Sequence, residues 1–397
     1  MANFHPTRTA ALERLNAFIP KAGRDYAAKR NYDVAGHPHV SGLSPYIRHR
    51  ALTESEVLDA TLARFAPSTA EKFIQEVYWR TYWKGWLELR PEVWDRYHIE
   101  LREAVDALDK DRSLRRDWEA ATDGRTGIDC FDHWATELTE TGYLHNHARM
   151  WFASIWVFTL ELPWVLGADF FLRHLLDGDP ASNTLGWRWV AGLQTRGKTY
   201  LARPDNISRY TEGRFKPKGL ASFAPALEDA PFDKPEPVPL TKPAAAGQKT
   251  AVLLHWEDLS PTALFRRDHI AAAVLRPFEH GSPLDTSQNV LSFRSALTED
   301  AAKRYGVANA PHLYASDLAA WAEREGIEQI VTAHAPTGPV AEELAQAERA
   351  LSSVGITLAR QVRDYDATCW PYATKGFFKF KEKIPTFLKL QQGQSAA

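Results

Sequence analysis

A proline-rich segment divides this chain into two parts of different composition. Residues 226–248 read ALEDAPFDKPEPVPLTKPAAAGQ, where proline, alanine and charged residues replace the periodic apolar residues of helices and strands. Most of the 14 tryptophans precede this segment. A chain of 397 residues is long enough for two domains. We therefore predict one domain over 1–225, a linker over 226–248 and a second domain over 249–397.

The two parts also differ in hydrophobic periodicity. Segments of the first part, such as STAEKFIQEVYWRTYWKGWLEL, place apolar residues at helical spacing. In the second part, the short apolar runs KTAVLLHWE, IEQIVTAH and ITLARQV alternate with amphipathic segments that end at Gly326 and Gly355. Such alternation is typical of a parallel sheet with crossover helices. We therefore predict an all-helical domain followed by a Rossmann-like parallel α/β domain.

Composition and charge weigh against several classes of protein. The net charge of −2 does not indicate a strongly basic nucleic-acid-binding protein, although it is compatible with a local basic face. Apolar runs are shorter than the ~20 residues of a membrane helix, and we see no signal peptide. Cys130 and Cys369 are too few for a disulfide framework. We expect reduced thiols, a cytoplasmic location, no membrane association and a monomer.

One predicted helix carries polar groups among its tryptophans. Glu76, Trp79, Arg80 and Trp83 follow the spacing i, i+3, i+4, i+7 and share one face. Two indoles beside a carboxylate and a guanidinium could form a stacking platform with polar anchors. Alternatively, the tryptophans pack in the core and the charges form an ion pair on the helix surface, which is the commoner arrangement. Spacing alone favours packing.

Two later segments combine polar and aromatic residues. In HNHARMW, Asn146 shares a helical face with Arg149 and Met150, whereas the two histidines point apart and make a poor metal pair. In DGDPASNTLGWRWVAG, Asp177 and Asp179 flank a glycine, but the remaining ligand spacing of a calcium loop is missing. We therefore predict no metal site.

Together, these segments resemble the FAD-binding domain of the DNA photolyase/cryptochrome superfamily. The resemblance runs in order over about residues 8–210. RLNAFIPKAGRDYAAKRNY resembles the entry helix, VSGLSPYI resembles the phosphate-binding turn TSxLSPYL, and EVYWRTYW resembles the helix ExxWRxFY. RTGIDCFDHWATELTETGYLHNHARM and DGDPASNTLGWRWVAG resemble two further family signatures. Five segments in register make a specific pattern, and it implies FAD as the cofactor.

The resemblance implies FAD-binding roles for one set of residues. Arg149 and Asp177 match an ion pair against the isoalloxazine ring, and Asp179 matches a carboxylate at the flavin edge. Asn183 matches the residue facing flavin N5, where asparagine is the photolyase-like choice. The positions expected around the phosphates are Tyr26, Ser41, Gly42, Leu43, Ser44 and Arg80.

The resemblance also implies an electron relay that ends at the flavin. Trp187 matches the flavin-proximal tryptophan and Trp164 matches the next one. The distal member falls near Leu108, whose side chain cannot carry an electron. The tryptophans that could replace it are Trp118, Trp151 and Trp156.

A further set of positions matches the residues that contact a cyclobutane pyrimidine dimer in photolyases of the bacterial type. The resemblance implies that Glu76 binds the pyrimidine edge, while Trp79 and Trp189 flank the flipped-out dimer. Asn146 and Met150 complete this pocket, and Arg30 matches a contact to a DNA phosphate. The residues expected to be catalytic are Glu76, Trp79 and Asn183. The best candidates for a DNA-facing basic patch are Arg196, Lys198, Arg203, Arg209, Arg214, Lys216 and Lys218.

The implied function is therefore light-dependent DNA repair, in which reduced FAD drives the splitting of cyclobutane pyrimidine dimers. The partner would be damaged DNA, with the dimer flipped into the FAD pocket. One alternative is a cryptochrome-like blue-light photoreceptor without repair activity, which the missing distal tryptophan, His147 and the altered loop after Trp189 favour. Another is a flavin-binding relic with neither activity. The intact set of dimer-contacting residues favours repair.

The second part resembles the antenna domain that precedes the helical domain in photolyases. AVLLHWEDLSPTA resembles its opening strand, and GFFKFKEKIPTFLK resembles its closing segment. In this chain these segments follow the helical domain, so the resemblance implies a circular permutation. A second, antenna chromophore is compatible with this reading but is not identified by it, and an unrelated α/β domain is the alternative.

Overall fold

The computed structural model describes residues 4–265, 268–277 and 281–395, and its first part is helical. The helices are α1 (Arg8–Phe18), α2 (Arg24–Lys29), α3 (Ser44–Arg48), α4 (Glu54–Leu62), α5 (Glu71–Glu88), α6 (Glu92–Lys110), α7 (Arg112–Thr122), α8 (Asp129–Thr141), α9 (Asn146–Ser154), α10 (Trp164–His174), α11 (Pro180–Val190) and α12 (Pro204–Tyr210). Within these described ranges, no helix combines the length and the apolar character needed to cross a membrane.

The second part alternates strands and helices. Its elements are β1 (Thr250–Leu254), α13 (Thr262–Phe265), β2 (Ala271–Leu275), α14 (Gln288–Arg304), β3 (His312–Leu313), α15 (Leu318–Arg324), β4 (Gln329–Ala333), α16 (Pro339–Ser353), β5 (Thr357–Gln361), α17 (Asp364–Cys369), α18 (Phe377–Lys381) and α19 (Ile384–Ser395). The strands form one parallel sheet in the order β3-β2-β1-β4-β5. The predicted fold class, a helical part followed by a Rossmann-like parallel α/β part, is confirmed.

The sheet register follows from continuous apolar strands. Val252 of β1 lies opposite Ala272 of β2 and Val331 of β4. Both β1 and β4 are buried along their whole length, as expected for a parallel sheet covered on both faces. Gln329 supports this arrangement at one end, because its amide nitrogen donates to Thr250 Oγ1 (2.8 Å).

The last three helices pack on the helical part rather than on the sheet alone. Phe377 and Phe380 of α18 contact Tyr82 of α5, with ring centroids 5.5 Å away in both cases. Phe387 of α19 contacts Tyr78 of α5 at 5.9 Å. These aromatic residues belong to the same apolar core as the first helices. The boundaries 1–225, 226–248 and 249–397 remain a proposal.

A buried polar network joins the carboxyl end of β1 to the helical part. Arg48, which ends α3, donates from both terminal nitrogens to Glu257, with distances of 2.5 and 2.6 Å. Its Nε donates to the Gly178 carbonyl at 2.7 Å. Both side chains are nearly inaccessible, with exposed fractions of 3% and 5%. The α/β part therefore supports the loop that contains Gly178.

Candidate functional site

A cavity of about 470 Å³ opens between α5, α9, α11 and the turn that precedes α3. This volume lies within the usual range of small-molecule and cofactor sites. Most of the residues singled out in the sequence line it: Tyr26, Ser41, Gly42, Ser44, Glu76, Trp79, Arg80, Asn146, Arg149, Met150, Asp177, Asn183, Trp187 and Trp189. Segments far apart in the chain are thus brought to one site.

Four of the predicted site residues lie outside this lining. Leu43 is 1% exposed and its side chain belongs to the apolar core. Asp179 and Trp164 are also buried, and Arg30 contacts the carboxylate of Glu76. The side chains of Leu43, Asp179 and Trp164 do not reach the cavity surface, whereas the Arg30 side chain stays 29% exposed beside it.

The turn before α3 forms one wall of the cavity. Gly42 has a φ of +60°, a conformation that glycine adopts without strain. A Cβ built at this position would lie 2.8 Å from Nη1 of Arg14, the flexible end of a side chain that can shift, so the backbone conformation is what favours glycine here. Leu43 N donates to Ser41 Oγ at 3.3 Å, which tightens the turn. The turn therefore presents two hydroxyls, Ser41 and Ser44, to the cavity.

The polar face of α5 pairs with other elements, not within the helix. Glu76 contacts Arg30 of the segment after α2. Arg80 Nη1 lies 3.3 Å from Asp179 Oδ2, at the start of α11. Glu76 and Arg80 therefore do not pair with each other on the helix surface, which was the alternative interpretation of the sequence pattern. The face thus points into the cavity, and Trp79 and Trp83 line it beside the charges.

Asp177 and Arg149 form the predicted ion pair at the cavity. Arg149 Nη2 donates to Asp177 Oδ2 at 2.9 Å, and Arg149 Nε donates to the Leu144 carbonyl at 3.0 Å. Burial alone would raise the pKa of Asp177, but the Arg149 charge outweighs it and the pKa is lowered. The second carboxylate oxygen, Oδ1, is buried without a hydrogen-bond partner among the described residues. A ligand with a donor at this point would satisfy it.

Asp179 has a structural position beneath the cavity wall. Its Oδ1 accepts a hydrogen bond from Ser182 N at 2.8 Å and so caps α11, for which aspartate is well suited. Its Oδ2 lies 3.2 Å from Lys84 Nζ and 3.8 Å from Arg48 Nε. Burial opposes ionisation, yet these cations hold the pKa of Asp179 well below its usual value. Asp179 thereby positions both Arg80 and the start of α11.

Asn183 and Trp187 lie one turn apart on α11 and both face the cavity. Asn183 Nδ2 donates to the Ala168 carbonyl of α10 at 2.7 Å, which fixes the amide orientation. The Trp187 ring lies 6.1 Å from that of Trp156, at an interplanar angle of 88°. Trp156, one of the tryptophans expected to replace the distal relay residue, therefore contacts Trp187.

Trp164 lies against a different aromatic group. Its ring centroid is 5.9 Å from Tyr97, and its Nε1 donates to Glu100 Oε2 at 3.2 Å. Burial is the main cause that raises the pKa of Glu100. Tyr97 in turn stacks on Trp94 at 5.2 Å.

Aromatic rings pack around Trp79, including one, Phe377, that sequence reasoning missed. Trp79 stacks on Phe377 with a centroid distance of 3.6 Å and an interplanar angle of 12°. Trp79 also lies 5.3 Å from Trp83. Phe171 and Tyr143 also line the cavity. The helical spacing of Trp83 pointed to it, but no local pattern could connect Phe377 to Trp79.

His37, near the turn that lines the cavity, is expected to make a pH-dependent contribution to the stability of the fold. Its Nε2 lies 2.8 Å from Glu137 Oε1, and its Nδ1 lies 3.4 Å from Asp33 Oδ1. Burial lowers the pKa of His37, but Asp33 and Glu137 outweigh burial and raise it to about 9. His145 stacks on His37, and its own pKa is lowered to about 4, chiefly by burial, so it adds no charge at neutral pH.

We expect the stability conferred by charged His37 to be lost in alkaline solution. The contribution is complete below the usual pKa of 6.5 and disappears as the pH rises through 9, because only the folded state holds the proton there. Its size is about 3 kcal/mol. Denaturant unfolding at pH 6, 7.5 and 9.5 measures it, with His37→Gln as the comparison. Equal pH dependence in the two proteins would contradict the assignment.

The cavity residues fit FAD by their chemistry. Arg80 and Arg149 supply positive charge, and Ser41, Ser44 and Ser182 supply hydroxyl donors, as a diphosphate requires. Aromatic and aliphatic side chains provide the apolar wall that a flavin ring requires. Asp177 Oδ1 and Trp187 Nε1 are both buried, and neither has a hydrogen-bond partner among the described residues.

Comparison with known proteins places this site in a family. Residues 73–251 match the family model described as the FAD binding domain of DNA photolyase. The chain is 32% identical over 243 residues to a deoxyribodipyrimidine photo-lyase of Synechococcus, covering 57% of this chain and 43% of the relative. It is 35% identical over 203 residues to the photo-lyase of Thermus thermophilus, covering 49% of this chain and 45% of the relative.

A cryptochrome of Synechocystis is 25% identical, with a TM-score of 0.44, and the match covers 53% of this chain and 44% of that chain. The chain spans less than half the length of the curated relatives just described, and the family model stops at residue 251, so the permuted order stays a prediction. The chain thus contains a region similar to the FAD-binding domain of the DNA photolyase/cryptochrome superfamily, and this similarity supports FAD as the cofactor.

Proposed function

We propose that this protein is a deoxyribodipyrimidine photo-lyase that splits cyclobutane pyrimidine dimers in DNA under blue light. The observation that carries the proposal is the convergence of five residues on the cavity that fits FAD. Glu76 and Trp79 come from α5, Asn146 and Met150 from α9, and Trp189 from α11. A cofactor and a substrate would therefore share one cavity.

When bound in its reduced form, FAD would supply the light-driven electron transfer that opens the cyclobutane ring. The chain's own residues bind and orient the reactants. Trp79 and Trp189 offer indole faces on which flipped-out pyrimidines stack. Glu76 and Asn146 offer hydrogen-bonding groups for the pyrimidine edges. Met150 supplies an adaptable apolar contact beside them.

The cofactor half of the cavity has its own proposed roles. Arg149 and Asp177 hold the flavin ring, while Arg80 and the turn of Ser41, Gly42, Leu43 and Ser44 hold the phosphates beside Tyr26. Asp179 acts on the phosphates only indirectly, because it holds Arg80 in place through a 3.3 Å ion pair. Asn183 faces the flavin from α11. Trp187 and Trp164 remain the proposed electron donors to the flavin.

Binding of DNA requires positive charge near the cavity mouth. The loop after α11 carries exposed Arg196 and Lys198, close in sequence to Trp189. Arg30 contacts Glu76 at the cavity and could exchange this partner for a phosphate. Neutralising each phosphate contact releases counterions, so binding is expected to weaken steeply with salt. We propose that the protein acts as a cytoplasmic monomer on the flipped dimer.

Repair of a defined oligonucleotide tests this function. The purified holoprotein is photoreduced and mixed with an oligonucleotide that contains one thymine dimer, and the recovery of thymine absorbance is followed under blue light. Light-dependent recovery is the expected result. Absence of recovery with FAD bound and reduced contradicts the proposal and favours the photoreceptor alternative.

Glu76→Ala is expected to lower the repair rate about tenfold, the effect of losing one hydrogen bond to a buried substrate group. FAD content should stay unchanged, because the ion-pair partner of Glu76 is Arg30, which is not among the residues proposed to hold FAD. Repair kinetics and the flavin-to-protein absorbance ratio measure the two effects. Glu103→Ala, an exposed carboxylate on α6, is the control. An unchanged rate in Glu76→Ala would show that the pocket is misassigned.

A further inference from the structure

The segment around α18 is fixed firmly beside the proposed dimer pocket. Tyr82 Oη donates to the Lys375 carbonyl at 2.9 Å, and Arg90 Nη2 donates to the Thr374 carbonyl at 2.9 Å. Lys381 Nζ lies 3.1 Å from Glu71 Oε1 at the start of α5. Phe377 is 4% exposed and stacks on Trp79. These contacts hold the segment against the same helix that carries Glu76 and Trp79.

This anchored segment presents an aromatic ring to solvent. Phe378 is 79% exposed and follows the buried Phe377 directly in the chain. Its ring centroid lies 6.5 Å from that of Phe377, which in turn covers Trp79 at 3.6 Å. Phe378 is thus separated from the pocket by a single ring. The surface formed by Lys375, Phe378 and Lys379 is here called the C-terminal patch.

The charge of the C-terminal patch matches a polyanion. Lys375 and Lys379 are exposed on either side of Phe378. Lys379 contacts Glu382 at 2.9 Å, but both side chains are more than half exposed, so the pair is weak and exchangeable. An exposed aromatic ring between lysines is the combination that binds nucleic-acid bases and phosphates together.

We propose that the C-terminal patch is a second DNA-contacting surface, in which Phe378 stacks on a base left exposed beside the flipped dimer and the two lysines contact backbone phosphates. The proposal rests on the proposed function, because a flipped dimer leaves its neighbours and its partner bases unstacked. An undamaged duplex keeps its bases stacked on one another, so no base face is free for the Phe378 ring to stack on. The lysines contact either duplex.

Binding in the dark, measured by fluorescence anisotropy, tests the stacking role. The probes are a duplex with one thymine dimer, the same duplex undamaged, and the undamaged single strand. Phe378→Ala is expected to weaken binding to the dimer duplex and the single strand about tenfold, and to change binding to the undamaged duplex less than about twofold. Phe378→Tyr, which keeps the ring, should retain wild-type binding. Ile99→Ala removes an exposed apolar residue of α6 and is the control.

A salt titration tests the lysines separately. The double variant Lys375→Gln/Lys379→Gln is expected to reduce the slope of log K against log salt on both duplexes by about 0.9 for each lost phosphate contact. An unchanged slope means that the two lysines do not contact phosphates and overturns that part of the proposal.

The outcomes separate this inference from the function on which it rests. If the wild type does not distinguish the dimer duplex from the undamaged duplex, the repair function fails, whereas loss of single-strand binding in Phe378→Ala would still support the patch. If the wild type prefers the dimer and Phe378→Ala binds it as tightly, the patch is wrong. A change in oligomeric state on size-exclusion chromatography of Phe378→Ala, with DNA binding unchanged, also overturns it in favour of a contact between chains.

Discussion

Glu257→Ala is expected to lower the free energy of unfolding by about 3–5 kcal/mol, the cost of leaving a buried charge without its partner. Glu257 is 5% exposed and accepts two hydrogen bonds from Arg48, at 2.5 and 2.6 Å. Its Oε2 also lies 3.8 Å from Lys84 Nζ. Without this carboxylate, Arg48 and Lys84 would share Asp179 as their remaining anionic contact among those described. The loss also reaches the cavity, because Arg48 holds the Gly178 carbonyl.

The pH dependence of this effect follows from the ionisation of Glu257. Burial alone would raise its pKa, but the charges of Arg48 and Lys84 outweigh burial and lower the pKa from 4.5 to about 2. A carboxylate with a depressed pKa stabilises the folded state fully above its unfolded-state pKa, and this stability is lost as the pH falls through 2. The difference between wild type and Glu257→Ala should therefore be constant between pH 6 and 8.

Denaturant unfolding, followed by tryptophan fluorescence and circular dichroism, measures the loss. The double variant Arg48→Met/Glu257→Leu should recover part of it, because replacing both members of a buried pair with apolar side chains is far less costly than removing one. Glu325→Ala removes a partner from the exposed pair with Arg324 and should change stability by less than about 0.5 kcal/mol. A Glu257→Ala loss as small as that of this control would exclude a supporting role for the network.

The helical face of α5 shows what sequence reasoning could predict. Spacing alone placed Glu76, Trp79, Arg80 and Trp83 on one face, and all four line the cavity. The helical period fixes relative direction within one element, so it survives folding unchanged. The helical period could not identify the ion-pair partner of each residue, because Glu76 contacts Arg30 of another segment and not Arg80.

Contacts between distant segments had no local signal. Phe377 stacks on Trp79 across most of the chain, and Glu257 meets Arg48 across the two parts. Such pairs depend on how whole elements pack, which periodicity within an element does not encode. The strand Ala271–Leu275 was missed for a different reason, because its alanines carry little strand preference and its burial comes from the neighbouring strands.

Gly186→Ala is expected to weaken FAD binding about 5- to 150-fold while it stabilises the protein without flavin. Gly186 lies within α11 and lines the cavity, and a Cβ built on it meets no heavy atom within 4 Å. In the free protein the added methyl group costs nothing and removes a helical glycine, which is worth about 0.5–1 kcal/mol. In the complex the same methyl group takes space that the flavin needs, and overpacking costs about 1–3 kcal/mol.

Flavin titration of the apoprotein and its denaturant unfolding measure these opposite effects. Gly167→Ala, in the neighbouring α10, is the comparison: its Cβ would clash with the Trp187 ring and lie 2.9 Å from Trp156. That variant should lose about 1–3 kcal/mol of stability, because the clash exists without flavin. If Gly186→Ala stabilises the apoprotein but binds FAD as tightly as the wild type, the flavin lies elsewhere. A loss of FAD affinity together with a gain in stability would place the flavin against α11, since no general damage to the fold produces both signs.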